Sequence, residues 1–312
     1  MVEDLRDSGR QPLRERRSLT GVLVMAYGSP ASADDVESYY THVRRGSPPS
    51  PDLLADLQRR YAAIGGTSPL AARTGAQVAG ISRSLGNGFV VALGQKHAAP
   101  FIEDGMAELL CTGVERVVGL VLAPHFSALS VAQYHQRAAA AGDGVTYLGV
   151  ERWNLHPELI ELLSERVLRS LIGLPPGAPV ETLFTAHSLP ARALELDEPS
   201  YPDQLRQTAE AVAARAGLAR WRLAWQSAGR TAEPWIGPDI LEVISGLPDD
   251  GVEAVVVCPA GFVSDHLEVL YDVDIEARGV AEAAGLRLIR TASLNDDPRF
   301  VAMLADVVRS VL

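Results

Sequence analysis

Residues 183–190 read LFTAHSLP, and residues 23–30 read LVMAYGSP. Aligned, the two stretches share Leu, Ala and Pro, and they set Tyr27 opposite His187. Each is a short apolar run that opens one half of the chain. A second echo pairs LVLAPHF at 120–126 with VVVCPAGF at 255–262. Buried strands resemble one another, so the echo admits two readings. It is either shared strand composition or two similar domains facing each other across a cleft, with a boundary near residue 150. On the second reading Tyr27 and His187 stand on opposite walls.

Working outward, apolar runs at 21–27, 89–93, 117–124, 146–150, 182–186, 222–226, 254–258 and 287–290 read as strands. They are rich in Val, Ile and Leu without polar alternation, as in parallel sheets covered on both faces. Helical periodicity fills the gaps at 33–44, 51–62, 70–85, 100–112, 130–141, 158–171, 202–216 and 265–284, and a last helix follows Asp297. This alternation predicts a doubly wound α/β architecture with ligands beyond the carboxyl ends of the strands. Neither Gly-x-Gly-x-x-Gly nor Gly-x-x-x-x-Gly-Lys-[Ser/Thr] occurs, which argues against the common nucleotide sites.

Composition narrows the class. The chain has 312 residues, 47% of them hydrophobic, with a formal net charge of −11. That balance disfavours nucleic acid and anionic membranes as partners, because both need a basic footprint. No apolar run approaches the roughly 20 residues of a membrane helix, so no integral membrane segment is expected. Residues 1–17 carry five arginines and no apolar stretch, and read as a disordered tail. The two cysteines, Cys111 and Cys258, form no Cys-x-x-Cys and read as small buried hydrophobes. A cytoplasmic location fits this cysteine usage.

Three groups of residues can carry chemistry. His187 ends a strand before a loop, where imidazole serves as base or ligand, or simply as a structural side chain. Glu268, Asp272 and Glu276 follow one another at intervals of four, which puts three carboxylates on one helix face. The row is either a solvated acidic face or, packed inside the protein, a path for hard cations or protons. His42, Arg44 and Arg45 in YYTHVRRG, with Arg59, Arg60 and Tyr61 in RRYAAIGG, are either a solvated basic surface or a receiver for a flat acidic ligand. His97 and His125 also follow strands. His266 stands two residues before Glu268, which on a helix is a different face, and no His-Glu-x-x-His is formed.

The segments LVMAYGSP, YYTHVRRG, RRYAAIGGTSPL, GQKHAAPFIEDG, VLAPHFSALSVAQY, TAHSLP, QSAGRTAEPWIGPD and GFVSDHLEVLYDVDIEA occur in order from about residue 21 to near the C-terminus. In these segments the chain resembles the ferrochelatases, most closely the soluble coproporphyrin III enzymes of Gram-positive bacteria. The resemblance implies a lyase-type metal chelatase of haem biosynthesis that inserts Fe²⁺, its substrate, into coproporphyrin III. It implies two Rossmann-like doubly wound domains with parallel sheets and a porphyrin cleft between them, here 18–150 and 151–312. The family's metal-site residues fall on His187 and Glu268, with the acidic row on Asp272 and Glu276. Its porphyrin contacts fall on Tyr27, Arg44, Arg60, Tyr61, Ser68 and Tyr134. A porphyrin substrate, a downstream haem-pathway enzyme as partner and a monomeric state are implied as well. Many members hold a two-iron two-sulfur cluster through four cysteines. With two cysteines and none beyond Cys258, this chain is expected to hold none. Alternatives on the same fold are a protoporphyrin IX ferrochelatase, a chelatase for another metal and a non-catalytic haem-binding or delivery protein.

Overall fold

Strand β1 (Thr20–Ala26) is buried on both faces because its side chains alternate between two apolar layers. Leu23 and Met25 pack with Ile102, Met106 and Tyr134, while Val22 and Val24 pack with Ile81 and Leu85. The computed structural model describes residues 19–312 apart from Pro176. The expected tail at 1–17 lies outside the described residues.

Eight strands form two four-stranded parallel sheets. The first has the order β2-β1-β3-β4, with β2 at Phe89–Gln95, β3 at Arg116–Val121 and β4 at Thr146–Val150. The second has the order β6-β5-β7-β8, with β5 at Val180–His187, β6 at Trp221–Gln226, β7 at Ala254–Cys258 and β8 at Arg287–Arg290. The two orders correspond position by position. β5 is the counterpart of β1, so the echo between 23–30 and 183–190 is a structural equivalence.

Helices cover both faces of each sheet. On the first, α3 (Leu70–Leu85) lies on one side, and α4 (Ile102–Cys111) and α5 (Val131–Ala141) on the other. On the second, Phe184 and Ala186 of β5 face α6 (Pro157–Ile172), α7 (Tyr201–Ala216) and α10 (Pro298–Arg309). Leu183 faces the opposite layer with Ile240 and Ile244 of α8 (Ile240–Gly246). Val22, Val24 and Phe184 belong to one apolar cluster, so the inner layer of helices is common to both sheets. Helix starts follow local chemistry. Ser200 and Asp297 accept hydrogen bonds from the first turns of α7 and α10, and each helix has Pro in that turn.

Helix α8 has no counterpart in the sequence reading, and two further features differ from it. The run ILEVISG at 240–246 is rich in β-branched residues, yet it is helical, because burial of Ile240 and Ile244 outweighs a modest propensity cost. The helix expected over 265–284 starts later, and its first part is a π-helix, Glu268–Ala277, continued by α9 (Arg278–Ala283). Cys111, expected to be buried, closes α4 and is exposed, whereas Cys258 is buried. Among the described residues no helix is long and apolar enough to cross a membrane.

Helix α10 returns from the second half of the chain to pack on α3. Gly80 makes the approach possible, since a Cβ there would lie 2.9–3.0 Å from the branched side chain of Val301. Valine at β-carbon distance cannot swing away inside a helix. Gly80→Val is therefore expected to destabilise the protein by about 1–3 kcal/mol, the usual range for overpacking. Urea unfolding measures this, and Val301→Ala in the same chain should recover part of the loss. An unchanged midpoint for Gly80→Val would contradict the α3–α10 contact.

Candidate functional site

A cavity of about 620 Å³ opens beyond the carboxyl ends of the strands. Tyr27 and His97, which follow β1 and β2, line it with His187 at the end of β5 and Glu268 at the start of the helix Glu268–Ala277. Its walls are pinned by buried polar bridges between the halves. Gln204 of α7 accepts from the Phe126 amide at 2.8 Å and donates to its carbonyl at 3.1 Å. Gln77 of α3 donates to Ser264 Oγ at 2.9 Å and to the Asn295 carbonyl at 2.8 Å. Ser29, Thr74, Gln77 and His125 line the cavity, and each keeps one buried polar atom without a protein partner among the described residues. Such a lining suits a polar occupant.

His187 ends β5, and its Nδ1 donates to the Ser188 carbonyl. A carbonyl can only accept, so the neutral ring carries its proton on Nδ1 and keeps the Nε2 lone pair free. Nε2 lies 3.7 Å from Glu268 Oε1. The turn after β7 can lie beside this residue because position 261 is glycine, where a Cβ would sit 2.5 Å from Ala186. The Gly261 amide instead donates to the Thr185 carbonyl at 2.9 Å.

His266 lies ahead of the helix, so the expectation of a separate helix face does not hold. Its Nδ1 donates to the Ser264 carbonyl at 3.0 Å, and its Nε2 lies 3.5 Å from Glu268 Oε2. Burial alone would lower the His266 pKa, but the hydrogen bond and charge of Glu268 leave it raised. Glu268 shows the converse. Burial pushes its pKa up, yet the facing His187 and His266 hold it down at about 2. A carboxylate between two imidazoles therefore stays charged over the physiological range.

Asp272 and Glu276 continue the row. Asp272 is buried, accepts a hydrogen bond from Ser227 Oγ, and receives Arg60 Nη1 at 3.2 Å. Burial first, and the Glu268 charge second, push the Asp272 carboxyl up to about 7. Glu276 lies farther out, 3.6 Å from Arg60 Nη2. Arg60 thus serves two members of the row, while Asp56 holds its Nε at 3.2 Å and the Tyr271 ring stacks 4.7 Å away. Among the described residues no group of three or more His, Cys, Asp or Glu is arranged to hold a metal. The four residues expected at the metal divide accordingly. His187 and Glu268 face each other, and Asp272 and Glu276 turn to Arg60.

Of the expected porphyrin contacts, Tyr27, Tyr61, Ser68 and Tyr134 line the cavity. The phenols of Tyr61 and Tyr134 are raised above their ordinary pKa by burial, with Glu268 adding to both shifts. Tyr27 packs on His97 at 4.6 Å. Ser68 accepts the Leu70 amide at 3.2 Å, at the start of α3. Two arginines lie elsewhere. Arg44, just after α1 (Val36–Val43), is exposed and donates to the Ser47 carbonyl at 3.2 Å, and Arg60, in α2 (Pro51–Ala63), is directed to the acid row. Lys96, which the sequence reading did not single out, lines the cavity together with Arg45. Ser227 was missed as well. It binds Asp272 from a left-handed backbone position, φ 61°, which no sequence pattern announced.

A smaller depression of about 390 Å³ lies between α9 and β8. Its Arg290 is already paired with Asp274 and Asp265, and it gathers no comparable set of groups.

Comparison with known proteins agrees with this geometry. The coproporphyrin III ferrochelatase of Anoxybacillus flavithermus is 43% identical over 303 residues, covering 94% of this chain and 96% of that one. The protein of the same name from Geobacillus thermodenitrificans is 41% identical over 303 residues, with the same coverage. Among solved structures, SirB from Bacillus subtilis with Fe³⁺ superposes with a TM-score of 0.57 at 15% identity, covering 94% of this chain and 95% of that one, a likeness of fold. The family profile described as Ferrochelatase matches residues 19–312, and the chain belongs to the ferrochelatase family.

Proposed function

We propose that the protein inserts Fe²⁺ into coproporphyrin III in haem biosynthesis. The observation that carries this is the free Nε2 of His187 beside Glu268, within a cavity lined by both halves of the chain. The relatives named coproporphyrin III ferrochelatase, matched over nearly their full length, point to the same substrate. On this reading the halves at 18–150 and 151–312 are two Rossmann-like domains, and the cavity between them receives the porphyrin.

Metalation replaces two pyrrole N–H protons with one Fe²⁺, so a base must reach the ring nitrogens. His187 is that base. Its Nδ1–H is engaged by a backbone carbonyl, which fixes the tautomer and aims the Nε2 lone pair into the cavity. Glu268, held ionised, stabilises the imidazolium that results and offers an oxygen to the entering metal. Imidazole and carboxylate both suit Fe²⁺. A proton leaving His187 passes to the acid row. Asp272, with its carboxyl at about 7, exchanges protons near neutrality, and Glu276 lies beyond it. Tyr27, across the cavity, is placed to contact the inserted iron.

The test of substrate is kcat/KM for coproporphyrin III and protoporphyrin IX under matched anaerobic conditions. A preference for coproporphyrin III is expected, because charge-assisted hydrogen bonds to two additional propionates each contribute about 1.5–3 kcal/mol. Equal or better use of protoporphyrin IX would refute it.

His187→Ala should abolish insertion without unfolding the protein. The loss should exceed the roughly 10²–10⁴-fold of general-base removal, since the same nitrogen serves the metal. Near-normal turnover in the folded variant would sink the assignment.

The acid row also sets a pH dependence of stability. The Asp272 pKa is about 7 when folded, against an ordinary value of 3.8. Between those values the folded state keeps a proton that the unfolded chain has lost. Stability therefore falls as pH rises through this window, and the cost is complete above it. Asp272→Asn removes the effect. Relative to the unsubstituted protein, the variant should gain on the order of 2–4 kcal/mol between pH 4 and pH 8. Urea unfolding at both pH values checks this, and a pH-independent difference would show that Asp272 does not hold the proton.

A further inference from the structure

The π-helix Glu268–Ala277 carries the acid row, and its winding decides where each carboxyl points. With i→i+5 bonding, every residue turns through a smaller angle than in an α-helix. Six residues past Glu268, at Asp274, the two windings differ by roughly a third of a turn. A π-helix is rare, so contacts from outside must favour it here. Val273 and Ala277 are buried beside Leu183 and Val257. Apolar contact of that kind is non-directional and selects a winding only weakly.

The directional contacts come from β8. Arg290, its last residue, donates through Nε to one Asp274 oxygen at 2.8 Å and through Nη2 to the other at 2.9 Å. Its Nη1 donates to Asp265 Oδ1, ahead of the helix, at 3.2 Å. One guanidinium thus joins the turn before the helix to its middle. All three side chains are partly buried. Asp265 is anchored in turn by Ser293 Oγ and Asn295 Nδ2, each at 2.8 Å. Arg290 itself starts from fixed backbone, since β8 pairs with β7 up to this residue. The Asp274 carbonyl is engaged as well. It accepts Arg278 Nε at 3.1 Å, while Arg278 Nη1 donates to the Leu288 carbonyl of β8 at 3.2 Å. In an α-helix that Asp274 oxygen would accept the Arg278 amide. Here the amide reaches the Val273 carbonyl, five residues back.

We infer that Arg290 is a positioning residue for the reaction, whose grip on Asp274 selects the π winding that sets Glu268 beside His187 and Asp272 against Ser227 and Arg60. The inference rests on the proposed function and adds a determinant that lies outside the cavity, since Arg290 lines the smaller depression instead. A bidentate guanidinium–carboxylate pair is directional, so rewinding to α geometry would break both of its bonds. The same rotation would move Asp272 and Glu276 relative to Glu268.

The test compares the full-length protein with Arg290→Gln and Asp274→Asn. Fe²⁺ insertion into coproporphyrin III gives kcat, absorbance without iron gives porphyrin binding, and amide hydrogen exchange reports on residues 268–277. Both variants should lower kcat by about ten- to a hundredfold, the range for losing a group that orients a metal ligand, with porphyrin binding retained. Amides of the segment should exchange faster. Asp274→Glu keeps the charge and the two oxygens, and should retain most of the activity. Arg166→Gln breaks another partly buried pair, with Asp297 at the start of α10, and should lower the urea midpoint without changing kcat. Asp274→Asn leaves Arg290 on Asp265, so it carries the test if Arg290→Gln does not fold. A normal kcat in either folded variant, or a fall in kcat matched by an equal fall in porphyrin affinity, would overturn the inference while leaving the proposed function standing. Absence of iron insertion by the unsubstituted protein would instead overturn the function, and the inference with it.

Discussion

The apolar layer formed by α3, α6, α7 and α10 fixes everything else in the molecule. Each sheet buries one face on it, so the two sheets cannot be displaced without exposing residues such as Phe184, Phe300 and Leu304, all fully buried. Burying one such side chain contributes roughly 1.5–3 kcal/mol. The layer sets the separation of β1 and β5, and therefore the separation of Tyr27 and His187, which follow and end those strands. Polar bridges refine the geometry. Gln204 mimics a strand partner for the loop after β3, and Gln77 ties α3 to the turn that leads into the π-helix. A cavity with such walls is set by packing before any ligand enters.

The cost of this arrangement falls on the acid row. Three carboxylates in succession along one helix repel one another, and burial of Asp272 makes the repulsion worse. The structure separates them by role. Glu268 is held charged by two imidazoles, Asp272 is pushed towards neutrality, and Glu276 stays near solvent beside Arg60. Neighbouring groups with pKa values driven apart can divide the work of charge stabilisation and proton exchange. The π-helix belongs to the same solution. Its i→i+5 bonding gives a wider turn than an α-helix, and such turns concentrate at functional sites.

Much of the fold was legible because strands covered on both faces are written as unbroken apolar runs, and all eight stand where such runs occur. The correspondence of Tyr27 with His187 was legible for the same reason. What escaped the sequence depends on contacts between distant segments. Helix α8 has no assignment from the sequence, and the packing of Ile240 and Ile244 supplies it. The winding of Glu268–Ala277 leaves no trace in a spacing of four, which falls near one turn in an α-helix and in a π-helix alike. His266 and Ser227 reach the acid row through backbone geometry, and neither spacing nor residue type signals that. Arg44 and Arg60 match the family pattern in type, but residue type does not say which partner a guanidinium will find.

The sparse ligand set at His187 and Glu268 follows from the proposed reaction. Iron is a substrate here, and it must be surrendered to four pyrrole nitrogens. Nitrogen- and oxygen-rich cages bind divalent first-row metals tightly and without sharp selectivity. A cage of that kind would compete with the porphyrin for the ion. One imidazole and one carboxylate hold it less firmly, and protonation of that imidazole on metalation weakens the hold as the ring nitrogens gain theirs. In the proposed reaction the same nitrogen serves twice, first as a donor to iron and then as acceptor of the proton that iron displaces. On that reading the Ser188 carbonyl fixes the tautomer of the His187 ring, and His266 helps hold Glu268 charged.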